Sequence, residues 1–318
     1  MKRGLSLAGK IAAIPPVVYL LIFSVVLFSF TAKNFFTVGN FFNVLRQASP
    51  LLVLATGETL AILIGKIDLS IGHLMSFSGL IAAYMIQAGL PLPLVIILPV
   101  LLTGVFGVLN GTLIAKFRLP AFIATFGIGN IVFGIGLLIS GGVSIPALNR
   151  SFRYLADGRV FGFPVITVIS LAVFAVMKYF TKFTSFGRNV YGLGGNREAL
   201  FLSGVNVDIA EIKVFTASAL LAGCAGILFA SRAASGYIGS GMGWEFDAIA
   251  ATIIGGNSFS EGRGNINKTI LGVLFIFVLR NGLNMAGINP HVQPFLVGVV
   301  VIFAISIDVL AKKGKSGN

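Results

Sequence analysis

Glu58 is the residue whose position most demands an explanation. It sits well inside an apolar run, where an ionised carboxylate costs at least about 2.5 kcal/mol unless it is neutralised or faces the interior of a helix bundle. It therefore needs a partner or a proton. A structural hydrogen bond and a direct part in a solute pathway both meet that need, and Lys66 is too far along the same helix to pair with it directly. Ten residues on, the stretch G-K-I-D-L-S-I-G from Gly65 to Gly72 separates two apolar runs and places Asp68 and Ser70 just before the second. Asp and Ser are N-cap residues that satisfy the orphan amides of a helix start. The other reading is a broken helix whose positive N-terminal end faces a pathway.

Uncharged amides form a second group. Asn110, Asn130, Asn281 and Asn284 lie on apolar segments, where an amide hydrogen-bonds either a hydroxylated solute or a neighbouring helix; interhelical bonds of this kind contribute about 0.6 to 2 kcal/mol. The candidate pathway set is thus Glu58, Asp68, Ser70, Asn130, Asn281 and Asn284. Gly107 and Gly111 make a G-x-x-x-G pair, the pattern of close helix contact.

Catalytic machinery is not expected. Cys224 is the single cysteine and His73 and His291 are far apart, which leaves no material for a disulfide framework or a metal cluster. Gly4 to Lys10 matches the spacing of a phosphate-binding loop, but Ile11 stands where Ser or Thr would hold magnesium and no strand precedes it. The chain is expected to hydrolyse no ATP and to carry no cofactor or metal of its own.

The elements that must position these residues are membrane helices. Hydrophobic residues make up 56% of the 318 and charged ones only 10%, against about 25% charged in soluble domains, and mean hydropathy is +0.98. Apolar runs at 11–32, 48–64, 72–89, 93–115, 121–141, 164–180, 213–234, 247–257, 268–287 and 291–311 are mostly of the length, roughly 17 to 25 residues, that crosses a bilayer. The run at 247–257 is too short to span alone. It must be extended by its flanks or be a broken helix packed in protein. The first run follows Lys2, Arg3 and Lys10, is too long for a signal-peptide core, and reads as a retained helix.

The net charge of +13 would suggest nucleic acid in a soluble protein, but the basic residues sit between apolar runs. With both termini cytoplasmic, sixteen of the 23 Lys and Arg fall on inner segments; Lys33, Arg46, Arg150, Arg153, Arg159, Arg232 and Arg280 take the outer segments and helix ends. That asymmetry orients a bacterial-type membrane protein. The expected fold is an all-α polytopic bundle of about ten transmembrane helices, one transmembrane domain over 1–318. Helix, Gly-rich break and helix recur at 57–90 and 248–280, a weak echo of the kind an internal repeat leaves.

Two loops are long enough to be functional: Gly142 to Phe163 outside, and 181–212 inside. The second reads F-G-R-N-V-Y-G-L-G-G-N-R-E-A-L-F-L-S-G-V-N-V from Phe186 to Val207. It closely resembles the cytoplasmic coupling loop of membrane permeases from ribose- and galactose-type sugar ABC importers, a family related to branched-chain amino acid permeases. Glu198, Ala199 and Gly204 fall at the spacing of the importer signature E-A-A-x-x-x-G, with Leu200 at its second alanine. G-K-I-D-L-S-I-G is similar to the family's G-G-I-D-L-S-V-G, with Lys66 in place of a glycine. Asp247 to Gly264 is similar to its D-A-I-A followed by two glycine pairs, with Glu261 in place of one glycine.

The resemblance implies a multi-pass permease of the bacterial inner membrane. Its implied partners are a second permease copy or homologue, two ATP-binding subunits or one duplicated one, and an external solute-binding protein, with ATP and magnesium in the ATPase and not in this chain. It marks Arg188, Tyr191, Gly195, Asn196, Glu198, Ala199, Ser203 and Gly204 as the coupling-loop residues. A short helix from Asn196 to Ser203, bracketed by glycines, would be a rigid knob for receiving force. The first expectation is therefore an ATP-driven importer subunit for a monosaccharide or similar small polar solute. The rival is a self-sufficient secondary transporter with Glu58 or Asp68 as an ion site; a channel is weaker, since no ring of pore charges is visible.

Overall fold

The structure is a computed structural model that describes residues 15–258 and 264–289, together with 291–293, 295–299, 302 and 306. Glu261, the phosphate-loop-like stretch at 4–10 and most of the run at 291–311 lie outside the described residues. Twelve helices are described: α1 (Pro16–Thr31), α2 (Val38–Leu63), α3 (Ile71–Gln87), α4 (Leu92–Ala115), α5 (Ala121–Ser140), α6 (Arg150–Asp157), α7 (Val165–Phe183), α8 (Ser185–Gly195), α9 (Arg197–Leu202), α10 (Val207–Ala233), α11 (Trp244–Ile254) and α12 (Ile266–Met285). Four two-residue strands form two antiparallel ribbons, β1 (Ile145–Pro146) with β4 (Ser235–Gly236), and β2 (Arg159–Val160) with β3 (Phe163–Pro164).

Proline and glycine punctuate the elements. Pro15, Pro91, Pro120 and Pro164 stand at the N-caps of α1, α4, α5 and α7, where a missing N–H costs nothing because the first helical amides have no intrahelical acceptor. Gly141 ends α5 in the left-handed region at φ +61°, a conformation that carries no Cβ penalty for glycine.

Five helices, α4, α5, α7, α10 and α12, are long and apolar enough to cross a membrane, and α1 and α3 are shorter apolar helices. The chain is a multi-pass membrane protein. Ile97, Leu101 and Val105 on α4, and Phe122, Ile123 and Phe126 on α5, are exposed, as lipid-facing side chains must be. The runs at 93–115, 121–141 and 268–287 coincide closely with helices. The run at 48–64 is the inner part of α2, which begins ten residues earlier, and the polar Arg46 and Glu58 sit on that longer helix. Every residue of α2 from Ala48 to Leu63 is buried, so protein and not lipid surrounds it, and it can carry Thr56, Glu58 and Thr59.

The 27-residue α10, about 40 Å long at 1.5 Å per residue, packs against α2, α3 and α4. A Cβ on Gly107 would lie 2.6 Å from the Ala219 Cβ, and one on Gly111 would lie 2.6 Å from the Ile212 Cα. The G-x-x-x-G pair is therefore the seam along which α4 meets α10.

The short run at 247–257 becomes α11, eleven residues long. The chain between α10 and α11 is not helical. It passes down the side of α3: a Cβ on Gly236 would meet the Leu80 Cα at 2.6 Å, and the Gly241 N–H donates to Ser76 Oγ at 2.6 Å. Irregular backbone at membrane depth is tolerated only where protein or a polar cavity surrounds it, and the glycines at 236, 239, 241 and 243 let it lie against α3.

Candidate functional site

The break between α2 and α3 gathers three of the candidate residues into one buried cluster. Glu58, Asp68 and Ser70 are each fully buried. Glu58 Oε1 accepts the Asp68 N–H at 3.3 Å. Asp68 Oδ1 accepts from both the Ser70 N–H at 3.0 Å and the Ser70 hydroxyl at 2.5 Å, and its Oδ2 accepts from the Ser218 hydroxyl of α10 at 3.0 Å. Asn110 donates to Ser70 Oγ at 2.9 Å, and the Leu69 N–H donates to Thr125 Oγ1 at 3.0 Å. Asp68 thus holds the first turn of α3 and ties it to α10, while α4 and α5 each contribute one polar contact. Ser218 is the twelfth residue of α10, roughly 16 Å from its start, so the cluster lies inside the bundle. Glu58 Oε2 and Asn110 Oδ1 are buried without a hydrogen-bond partner.

The start of α11 meets the start of α3 at the same depth. Glu245 Oε1 accepts the Gly243 N–H at 3.2 Å, its Oε2 has no partner, and this carboxylate lies directly against Gly72. His73 Nδ1 is also unpartnered, and its ring meets Phe133 edge-on at 5.5 Å. Two discontinuous helices therefore bring their N-terminal ends together around unsatisfied polar atoms, the arrangement in which broken helices bind solutes in transporters.

The asparagines lie elsewhere. Asn281 and Asn40 exchange two amide bonds of 2.8 and 3.0 Å, joining α12 to the first turn of α2. Asn284 is exposed and accepts from Gln293 at 2.8 Å. Asn130 is exposed and donates to the Phe126 carbonyl of its own helix at 2.8 Å. None of the three joins the cluster around Asp68.

The residues that the resemblance marks for a coupling loop fold into α8, α9 and the turn that follows. Asn196 caps α9 by accepting the Ala199 N–H at 2.9 Å, the Ser203 hydroxyl donates to the Leu200 carbonyl at 2.6 Å, and Gly204 leaves the helix at φ +86°. No residue of α9 is buried. Phe201 and Leu202 are 61% and 78% exposed and Glu198 and Ala199 are exposed beside them, so the helix stands proud of the bundle with apolar side chains outward. Gly195 is exposed at the end of α8; Arg188 in its first turn is also exposed, and Tyr191 is 37% exposed.

A charge network not expected from sequence lies behind this knob. Arg197, the first residue of α9, donates to Glu211 Oε2 at 2.6 Å and to Asp208 Oδ1 at 3.0 Å, both on α10. Lys66, two residues before Asp68, pairs with the other Glu211 oxygen, and Arg118 pairs with Asp208 at 3.3 Å. Burial, and then the charges of Arg197 and Arg118, lower the Lys66 ammonium to about 8, with Asp208 acting the other way. Rising pH therefore discharges Lys66 earlier than an ordinary lysine. Its only sequence signal is that a lysine stands where the resembled motif has glycine.

A family model described as "Branched-chain amino acid transport system / permease component" matches residues 40–305. A probable ABC transporter permease protein of Escherichia coli (strain K12) is 37% identical over 289 residues, 91% of this chain and 87% of that protein. A ribose import permease protein of Haemophilus influenzae is 37% identical over 292 residues, 91% and 90% of the two chains. A D-allose transport system permease protein of Escherichia coli (strain K12) is 35% identical over 286 residues, 90% and 88%. No solved structure matches the chain.

Proposed function

The chain belongs to the branched-chain amino acid transport system permease family, and on that premise we propose that it is the membrane permease subunit of an ABC importer that carries a monosaccharide, or a similar small polar solute, into the cytoplasm. The sugar class follows from the relatives, whose names give ribose and allose as their cargo. The observation that carries the mechanism is α9, a capped helix with no buried residue that presents Phe201 and Leu202 to solvent. Adjacent exposed apolar side chains on a protruding polar loop are the kind of surface that marks a protein contact, and a secondary transporter has no need of such a contact with an ATPase.

In this reading both termini and α9 face the cytoplasm of a bacterial inner membrane, about ten segments cross it, and a second permease copy or homologue, an external solute-binding protein and a pair of ATP-binding subunits complete the importer. ATP and magnesium belong to the ATP-binding subunits. Force applied at α9 reaches the bundle through Arg197, Glu211 and Lys66, and arrives two residues from Asp68, which holds the start of α3. The ends of α3 and α11, with Glu58, Asp68, Ser70, His73 and Glu245, form the polar part of the path. Their acceptor-rich chemistry suits the hydroxyl groups of a sugar.

The test is ATP-driven uptake in nanodiscs or proteoliposomes containing the chain, its ATP-binding subunit and its binding protein. A Cβ on Gly204 would meet nothing within 4 Å, but φ +86° disfavours a β-branched side chain. Gly204→Val and Glu198→Lys should leave the chain inserted and able to engage the binding protein, yet lower uptake, ATPase stimulation and co-purification of the ATP-binding subunit together. Unchanged assembly and stimulation in both variants would remove α9 as the socket.

A further inference from the structure

A cavity of about 530 Å³ lies between the end of α7, the start of α8 and the first turn of α12. Lys178, Lys182, Arg188 and Tyr191 line it together with Asn265 to Asn267, and among the described residues no carboxylate does. The cations behind α9 are neutralised by Asp208 and Glu211; among the described residues Lys178, Lys182 and Arg188 have no ion pair. Lys182 lies 5.0 Å from the Phe183 ring centroid, a contact that leaves its charge uncompensated. Lys178 and Lys182 are four residues apart on one helix, a spacing at which like charges repel. The 20-residue α12 begins at the cavity wall and adds the positive end of its dipole. Among the described residues, three cations, a phenol hydroxyl and a helix start converge on one space that no carboxylate lines.

The position of the cavity selects the anion. It lies at the end of α7, a helix long and apolar enough to span the bilayer, and Tyr179, Phe180 and Phe183 of the same turns are 58%, 44% and 61% exposed. An exposed tyrosine at the end of a membrane helix, here Tyr179, marks the headgroup level of a membrane, and basic pockets at that level bind acidic lipid headgroups. We propose that this cavity is a binding site for the phosphodiester of an anionic membrane lipid, with Lys178, Lys182 and Arg188 as the charge partners and Tyr191 as a hydroxyl donor. The lipid neutralises the repulsion along α7 and braces α7 and α8 against α12, next to the proposed coupling helix. The inference does not depend on the identity of the transported solute.

The full-length chain in a zwitterionic detergent is titrated separately with phosphatidylglycerol, phosphatidylcholine and inorganic phosphate, reading thermal stability and lipid adducts by native mass spectrometry. Phosphatidylglycerol is expected to bind saturably and raise Tm. A Lys178→Gln, Lys182→Gln, Arg188→Gln triple variant is expected to bind it about a hundredfold more weakly, with phosphatidylcholine adducts unchanged. Should the triple variant fail to fold, Lys182→Gln alone must weaken phosphatidylglycerol binding while Arg188→Lys retains it. Equal binding by parent and variant, or equal effects of the two lipids, overturns the site. Saturation by inorganic phosphate with no further gain from phosphatidylglycerol overturns the lipid assignment in favour of a free anion.

Discussion

Replacing Glu211 by Gln tests the link between α9 and the buried end of α3. The carboxylate is 1% exposed and bonded to Arg197 at 2.6 Å and to Lys66. Gln keeps the shape and removes the charge, so two cations lose their shared counter-ion while Asp208 continues to hold Arg197. Removing one member of a fully buried pair costs about 3 to 5 kcal/mol, whereas exposed pairs contribute about 0 to 1. The Lys66 and Arg197 side chains are 25% and 35% exposed, so water recovers part of the loss and about 1 to 3 kcal/mol is expected. Arg197→Met also breaks the Asp208 contact, so the single variants alone are ambiguous. A double-mutant cycle isolates the pair, and we expect a coupling energy of about 1 to 2 kcal/mol. Reversible unfolding of the full-length chain in mixed micelles measures the energies, and ATP-driven uptake by the assembled importer measures the consequence. Glu211→Gln should lower uptake per ATP hydrolysed while the ATP-binding subunit still co-purifies. Additivity of the two substitutions within about 0.5 kcal/mol, with uptake unchanged, would refute this pair as the route from α9 to Asp68.

Glu58 lies in the cluster with one hydrogen bond to the Asp68 amide, which Gln can accept equally well; Glu58→Gln should therefore retain much of the uptake and Glu58→Leu should lose it. Abolished uptake in a normally assembled Gln variant would instead make the acidic group itself part of transport and revive the ion-coupled alternative. Single cysteines at 153 and 197, in a background lacking Cys224, should react with an impermeant maleimide from opposite sides of the membrane, since α7 separates the two positions; labelling of both from outside would sink the proposed topology. The Lys66 ammonium, lowered to about 8 in the folded state against about 10.4 unfolded, gives up its proton in the folded chain first. Between those values the unfolded chain binds more protons, so this group's contribution raises stability as pH rises. Thermal unfolding at pH 7.5 and 9.5 should show that rise in the parent and a flatter response in Lys66→Gln; identical pH responses would mean that Lys66 is not perturbed.

The amino-acid sequence determined the material of the fold: apolar runs long enough for a bilayer, prolines at 91, 120 and 164 that open helices, and a capped, glycine-ended knob from Asn196 to Gly204. These are readable because run length, proline chemistry and capping act within a few residues. The contact of Gly107 and Gly111 with α10 was legible as a contact, since small residues four apart leave a groove, although the identity of the neighbour was not. The α8 helix was not foreseen within the polar loop, where a few glycines and charges hide a short helical pattern. Tertiary structure alone decided the rest. Asp68 meets Ser218 across 150 residues and Lys66 meets Glu211 across 145, pairings set by how α10 is rotated and shifted against α2 and α3. Likewise the chain from Ser235 to Gly243 lies along α3 because α3 offers Gly72, Ser76 and Gly79 to receive it, and Asn281 joins α12 to α2 because Asn40 faces it. Helical periodicity specifies which face of a segment is polar; only packing specifies which other polar face is brought within hydrogen-bonding distance of it.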